Sequence, residues 1–296
     1  MKAFKLIFSG GGTGGHIYPA LAIAKGFKNI KPDTNVLFVG AINKMEMEIV
    51  PKADFKIKGL WISGFKRSLS LQNLLFPFKV FTSLLQSLFI ILRFKPDAVI
   101  GTGGFASWPL LQVAQWLDYP TLIQEQNSFP GIANRILGKK ANRVCVAYEN
   151  MEHYFPLYKL RLTGNPIRFN MLSSGITASA AKSFFGLDPQ KPTLVVIGGS
   201  LGARRINELV ANELFFLKTH DFQILWQCGA LYFDKYKTLS CPEVVIKPFV
   251  YEMEKLYTAA DIIISRAGAG SLSELSCVGK PLILIPSPNV TANHQF

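Results

Sequence analysis

Four times along this chain a short run of β-forming residues breaks into a cluster of small residues and restarts with helical character. Phe4–Phe8 runs into Gly10–Gly15, and Asp97–Ile100 into Thr102-Gly103-Gly104-Phe105. Thr193–Ile197 runs into Gly198-Gly199-Ser200-Leu201-Gly202-Ala203, and Ile262–Ile264 into Ala267-Gly268-Ala269-Gly270-Ser271. Strand runs alternating with helical segments signal parallel α/β sheets, because a parallel neighbour is reached only by a crossover long enough to hold a helix. Further runs at Val36–Val39, Thr121–Ile123, Val144–Val146, Gln223–Trp226, Val244–Ile246 and Pro281–Ile285 keep the rhythm, and Pro19–Lys28 reads as the first crossover helix. The pattern halts at Gly164-Asn165-Pro166 and restarts at Thr193. Two α/β domains are expected, residues 1–164 and 165–296, which suits 296 residues at about 100 to 200 per domain. After Leu282–Ile285 a loop leads to Phe296, where another covering helix is expected, so the second domain reads as incomplete.

Composition narrows the class. With 49% hydrophobic and 17% charged residues the chain is neither disordered nor collagen-like. Cys145, Cys228, Cys241 and Cys277 lack the short paired spacing of a zinc site or redox pair, and read as free thiols in a reducing compartment. The net charge is +13, and the residues through Arg161 hold 20 basic against 9 acidic side chains. That half suits an anionic partner: nucleic acid, anionic lipid or a phosphorylated substrate. Scattered lysines that merely solubilise the surface are the plainer alternative. Dense basic runs and aromatic-interleaved signatures are missing, which argues against nucleic acid. Leu6-Ile7-Phe8 breaks into glycines too early for a secretory signal core, so a cytoplasmic location is expected. The most apolar stretch, Leu69 to Leu92, is interrupted by Gln72, Asn73, Pro77, Lys79 and Gln86. Its cleanest part, Val80–Leu92, falls short of the roughly 20 residues of a membrane span.

The glycine loops carry the chemistry. Each puts small residues and backbone N–H groups at a helix start, where the helix dipole favours an anion. One such loop is usually an ordinary tight turn; four, shared between two domains, suit a diphosphate. Gly10, Gly12 and Gly15 match G-x-G-x-x-G, but a dinucleotide site also wants an acid at the tip of the second strand, and Val39-Gly40-Ala41-Ile42-Asn43 has none. No G-x-x-x-x-G-K-[ST] loop occurs, nor an Asp-x-Asp pair to hold a metal on a sugar nucleotide. A departing diphosphate would therefore rely on helix dipoles and cations such as Arg168, with no metal or other cofactor.

Taken in order, six motifs resemble those of the MurG family. They are Gly11-Gly12-Thr13-Gly14-Gly15-His16-Ile17-Tyr18-Pro19, Gly101 to Phe105, Glu125-Gln126-Asn127, Gly164-Asn165-Pro166-Ile167-Arg168, Gly198 to Ala203, and Ser265 to Glu274. That family comprises the peptidoglycan N-acetylglucosaminyltransferases that convert lipid I into lipid II. The resemblance implies a GT-B fold, two Rossmann-like domains facing across a cleft, with UDP-N-acetylglucosamine held mainly by the second and the lipid acceptor by the first. It implies an inverting displacement in which the 4-hydroxyl of N-acetylmuramic acid attacks the anomeric carbon and UDP leaves. By motif, Thr13, Gly14, Gly15 and Asn127 would contact the donor from the first domain, and Arg168 and Ser200 its diphosphate region. Backbone groups at Val250 would read uracil; Ala269, Gly270, Ser271, Leu272 and Ser273 would wrap the nucleotide. Glu274 would bond the ribose hydroxyls, and Gln295, after His294, the sugar hydroxyls.

Two residues compete as general base. His16 has an imidazole suited to take a hydroxyl proton near neutral pH, and the helix start beside it favours the neutral form. Glu125 is the second candidate, and would need burial to raise its basicity. His153 and His220 read as surface or loop residues, and Trp61, Trp108, Trp116 and Trp226 as core or rim packing. The Leu69–Leu92 stretch, flanked by Lys66, Arg67, Arg93 and Lys95, resembles the family's hydrophobic patch ringed by cations. It could dock on anionic inner-membrane lipid at the cytoplasmic face as a peripheral protein, with cell-wall synthesis proteins as further partners. Leu84, Leu85, Leu88, Ile91 and Leu92 equally follow the spacing of a helix packed into its own core. The rival functions are another UDP-N-acetylglucosamine-using GT-B enzyme, such as an epimerase or soluble-acceptor transferase, and a non-catalytic lipid- or nucleotide-binding module.

Overall fold

A computed structural model of the chain describes residues 3–64, 75–168 and 175–288. The chain divides into two compact units, Met1–Pro166 and Ile167–Phe296. The first unit runs β1 (Lys5–Gly10), α1 (Gly14–Ile30), β2 (Asn35–Ala41), α2 (Glu46–Lys52), β3 (Lys56–Leu60) and α3 (Phe76–Phe94). It continues with β4 (Ala98–Gly103), α4 (Ser107–Trp116), β5 (Thr121–Glu125), α5 (Ile132–Gly138), β6 (Arg143–Val146) and β7 (Leu160–Leu162). Its sheet is parallel throughout, in the order β3-β2-β1-β4-β5-β6-β7.

Both faces of this sheet are covered, which is why its strands read as continuous apolar runs. Alternation along β1 sends Leu6 and Phe8 to one core and Ile7 to the other. The first core seats α1 through Ile17, Ala20, Leu21 and Ala24, and there Phe8 stacks on Phe38 at 5.4 Å between ring centres. The second seats α4 through Leu110, Leu111 and Val113, and α3 through Ile90 and Ile91.

The second unit runs α6 (Ala178–Phe184), β8 (Thr193–Ile197), α7 (Arg204–Thr219), β9 (Gln223–Gln227), α8 (Ala230–Tyr236) and β10 (Val244–Lys247). It closes with α9 (Met253–Ala259), β11 (Ile262–Arg266), α10 (Ala269–Val278) and β12 (Leu282–Ile285). Its sheet is again parallel, in the order β10-β9-β8-β11-β12. Val195 and Ile197 face one core while Leu194 and Val196 face the other, and Trp226 is fully buried with its indole N–H donated to Asn207 at 3.0 Å.

The strand order positions the glycine loops. In each sheet the chain winds outward to one side and then crosses back, so the order reverses between β1 and β4 and again between β8 and β11. In open α/β sheets ligands bind at that reversal, beyond the carboxyl ends of the strands. All four glycine loops lie there, directly after β1, β4, β8 and β11.

The structure adds two strands beyond the sequence reading. β3 alternates exposed and half-buried residues, and β7 is three residues at the sheet edge. Helix α1 starts at Gly14, well before the expected Pro19, so Gly14, Gly15 and His16 form its first turn; Pro19, in the second turn, has no N–H to give the Gly15 carbonyl. Helix α3 is longer than its cleanest apolar segment, and by length and composition alone it could cross a bilayer. Its inner side is packed, with Ser83, Ser87, Ile90 and Ile91 buried, so lipid can reach only its outer side.

Candidate active site

In the first unit the loops after β1 and β4 meet around His16. The imidazole lies against the backbone of the loop after β4: a Cβ on Gly103 would sit 2.9 Å from His16 Cδ2 and 3.1 Å from Nε2, and one on Gly104 would sit 3.1 Å from Nδ1. Gly104 also passes so close to the Gly11 carbonyl that a Cβ would meet its oxygen at 2.1 Å, and both Gly103 and Gly104 have left-handed φ angles. Only glycine fits there. Thr102 locks the arrangement, its hydroxyl donating to the His16 carbonyl at 2.7 Å.

The ring is oriented from its Nδ1 side. Nδ1 lies 3.1 Å from the Gly11 carbonyl oxygen and 3.3 Å from Thr13 Oγ1. A carbonyl can only accept, so the shorter contact is favourable with the proton on Nδ1, which leaves Nε2 as the basic nitrogen. Burial holds the His16 pKa below its usual value, against smaller upward pulls from the Gly11 hydrogen bond and the carboxylates of Glu125 and Glu46. The third position of α1 adds the positive end of the helix dipole to the forces favouring neutral imidazole.

Glu125, at the end of β5, is buried and fully engaged. Its Oε1 accepts the Asn127 N–H at 3.0 Å and Asn127 Nδ2 at 3.1 Å; its Oε2 accepts the Gly131 N–H at 3.2 Å and Asn134 Nδ2 at 2.9 Å. Four donors use the roughly four lone-pair positions of a carboxylate, so no acceptor site is left for a substrate hydroxyl. Glu125 thus shapes the loop carrying Asn127 and the start of α5. Asn134, which the sequence reading missed, is almost fully buried, and its Oδ1 has no hydrogen-bond partner among the described residues.

In the second unit the loop after β8 and the segment before α9 are tied together by Gln227, another residue the sequence reading passed over. From the tip of β9 its buried amide donates to the Gly199 carbonyl at 3.1 Å and accepts the Val250 N–H at 2.9 Å. Of the backbone groups at Val250 expected to read uracil, the N–H is thereby committed inside the protein. Ser200 is half-buried in the same loop.

Helix α10 begins at Ala269 behind Gly268, so Ala269 to Leu272 form its first turn, and Ser273 Oγ donates back to the Ala269 carbonyl at 3.0 Å. Glu274 lies just inside. Its Oε1 is 3.2 Å from Arg168 Nε, and its Oε2 accepts the Tyr257 hydroxyl at 3.4 Å. Burial raises the Glu274 pKa, opposed by Arg168 and Tyr257, and raises that of Tyr257 as well, with the Glu274 charge adding to it. Two expected donor contacts, Arg168 and Glu274, are thus brought together as partners of each other. His294 and Gln295 lie outside the described residues, as do Lys66 and Arg67.

The chain matches the glycosyltransferase family 28 N-terminal domain over residues 6–146 and the glycosyltransferase family 28 C-terminal domain over residues 193–296. It is 55% identical over its whole length to the UDP-N-acetylglucosamine--N-acetylmuramyl-(pentapeptide) pyrophosphoryl-undecaprenol N-acetylglucosamine transferase of Flavobacterium psychrophilum, covering 81% of that protein. To the protein of the same name from Christiangramia forsetii it is 54% identical over 99% of the chain and 80% of the relative. Among solved structures it is similar to Acinetobacter baumannii MurG, with a TM-score of 0.69 and 28% identity over 99% of this chain and 81% of that one. The two Rossmann-like units are those of a GT-B glycosyltransferase, as the motifs implied. The chain belongs to glycosyltransferase family 28 and, within it, to the MurG family of N-acetylglucosaminyl transferases.

Proposed function

We propose that this chain transfers N-acetylglucosamine from UDP-N-acetylglucosamine to the 4-hydroxyl of the N-acetylmuramoyl-pentapeptide of lipid I, giving lipid II and UDP with inversion at the anomeric carbon. The observation that carries this reading is the 55% identity, along the whole chain, to a relative named for that transfer. His16 supplies the chemistry. As the acceptor oxygen bonds to the anomeric carbon, its proton passes to His16 Nε2; the bond from that carbon to the diphosphate oxygen breaks and its electron pair leaves with UDP. Glu125, with its lone pairs occupied, positions rather than abstracts.

The donor diphosphate is stabilised by the helix starts after β8 and β11 and by Arg168. Nucleotide binding exchanges the Arg168–Glu274 pair for two ligand contacts, guanidinium to phosphate and carboxylate to ribose hydroxyls. Residues 1–164 form the acceptor and membrane side, and residues 165–296 the donor side. The outer face of α3 supports that division. Phe78, Phe81, Leu85, Phe89 and Leu92 form an exposed stripe at helical spacing, with Phe89 70% exposed, and Arg93 and Lys95 lie at its end. An apolar stripe edged by cations suits peripheral docking on anionic lipid at the cytoplasmic face, where a lipid-linked acceptor would be met.

The test is transfer of labelled sugar to a lipid I analogue. Wild type is expected to transfer, and His16→Ala to lose about 10²- to 10⁴-fold in turnover, the usual contribution of a positioned base, with UDP affinity retained. Near-normal turnover would remove His16 as base. Conversion of the donor to its 2-epimer without acceptor would replace the transferase reading by the epimerase one.

A further inference from the structure

Behind His16 the structure holds a second carboxylate, that of Glu46, which the reading above leaves unused. Glu46 opens α2, five residues beyond the tip of β2, yet its side chain turns back into the protein and is fully buried. Oε1 accepts the Ala41 N–H at 2.9 Å and Oε2 accepts the Gly12 N–H at 3.1 Å. The fit is close on both sides: a Cβ on Gly11 would sit 2.3 Å from Oε1, and one on Gly40 would sit 2.5 Å from Cγ.

The Gly12 N–H and the Gly11 carbonyl belong to one peptide unit. Glu46 holds its N–H end, and His16 Nδ1 lies 3.1 Å from its carbonyl end. A carboxylate, a peptide and an imidazole are therefore linked in a row, with the peptide standing where a catalytic histidine more often meets a carboxylate directly. A carbonyl whose own N–H is bonded to an anion becomes a stronger acceptor, because bonds in such a chain polarise one another.

We propose that Glu46 is a positioning residue that sets the tautomer of His16 through the Gly11–Gly12 peptide, holding the proton on Nδ1 and leaving Nε2 free to act as base. The base role itself rests on the transferase reading; the tautomer does not. The groups facing the imidazole are Glu46 from α2, Glu125 from β5, Thr13 and the Gly11 carbonyl from the first loop, the helix start of α1, and the uncharged Gly103, Gly104 and Asn134. Thr13 is the competitor. Its hydroxyl, at 3.3 Å, could donate to a bare Nδ1, but the Gly11 carbonyl would then face a lone pair at 3.1 Å.

Nitrogen-15 NMR of the imidazoles reads this directly, with the His16 signals assigned by their loss in His16→Ala. Wild type is expected to show Nδ1 protonated. Glu46→Gln should convert this to a mixture of tautomers and move the His16 titration to lower pH, since Glu46 pulls that pKa upward. Glu46→Asp keeps the charge but shortens the reach to Gly12, and should also mix the tautomers; it serves if the amide does not fold. In the transfer assay Glu46→Gln should lower turnover by about tenfold or more, a part of what a positioned base contributes, move the acid limb of the rate profile the same way, and add no loss in a His16→Ala background.

Protonation on Nε2 in wild type, or an unchanged tautomer and titration in folded Glu46 variants, would overturn the proposal. A wild-type chain with the expected tautomer but no sugar transfer would sink the transferase reading and leave the tautomer assignment standing. Transfer with the opposite tautomer would do the reverse.

Discussion

At the scale of single residues, the site is built by burying polar groups and satisfying them with backbone and with one another. His16 illustrates the consequence for stability. Its pKa in the folded protein lies below the unfolded value of about 6.5, chiefly through burial. Above that pH both states hold neutral imidazole and the residue adds no pH dependence. As pH falls through about 6.5 the unfolded chain takes up a proton that the folded protein refuses, so stability declines until the lower folded pKa is reached, by at most about 1.4 kcal/mol per pH unit. Denaturant unfolding at about pH 7.5 and about pH 5.5 should therefore show a smaller loss in His16→Asn than in wild type, the other histidines cancelling in the difference; an equal loss would contradict the shift. His16 was legible because it directly follows a glycine cluster between a strand and a helix. Glu46 was not. A search for an acid at the tip of β2 ends at Asn43, whereas the carboxylate that reaches the glycine loop comes from the next helix and turns inward. Gln227 escaped because it is one polar residue at the end of an apolar strand, and its partners are set by the strand order rather than by sequence distance; Asn134 escaped because nothing in its helical surroundings marks it as the residue that turns back onto Glu125.

At the scale of elements, the strongest strands could be read because a sheet buried on both faces needs unbroken apolar runs. β3 and β7 escaped because they lie at the sheet edges, where Lys56, Lys58 and Arg161 interrupt the run. Helix α3 was legible as a helix but ambiguous in its facing, since a core stripe and a membrane stripe have the same period. The structure divides the residues of that ambiguity: Ile91 is buried and Leu84 and Leu88 pack on the core, whereas Leu85 and Leu92 point outward with the phenylalanines. The side buried against the domain carries two serines, satisfied within the helix by the Val80 and Ser83 carbonyls, while the outer side is apolar. This distribution separates two kinds of mutation. Phe81→Ser with Phe89→Ser should weaken binding to anionic vesicles by about a hundredfold or more, taking roughly 1.5 to 3 kcal/mol per phenylalanine buried in lipid, and leave the melting temperature nearly unchanged. Ile91→Ser should instead destabilise the fold by about 2 to 5 kcal/mol. Co-sedimentation with vesicles, read beside thermal melts, distinguishes them, and unchanged vesicle binding of the double variant would remove the docking role.

At the scale of the whole molecule, two parallel sheets repeat one design and give it different electrostatic settings. Each reverses its strand order between two central strands and places glycine loops at the tips of that pair. The residues through Arg161 carry a net +11 of the +13, leaving the second unit nearly balanced. A charge of that size acts over about 8 to 10 Å in physiological salt and suits attraction to a surface. On the proposed reading, a nearly neutral unit holds its nucleotide by local means: helix starts, the loop braced by Gln227, and the Arg168–Glu274 pair. It follows that UDP alone should stabilise the second unit selectively. At a concentration of about 100 times Kd the gain is about 2.7 kcal/mol for whichever unit holds the site. Hydrogen exchange with and without UDP should show added protection at residues 199–203 and 268–274 and through the strands β8 and β11 behind them, while amides of β1 and β4 in the first unit stay unchanged. Equal added protection in β1 and β4 would mean that the nucleotide is held by both units, and would overturn the assignment of donor binding to the second.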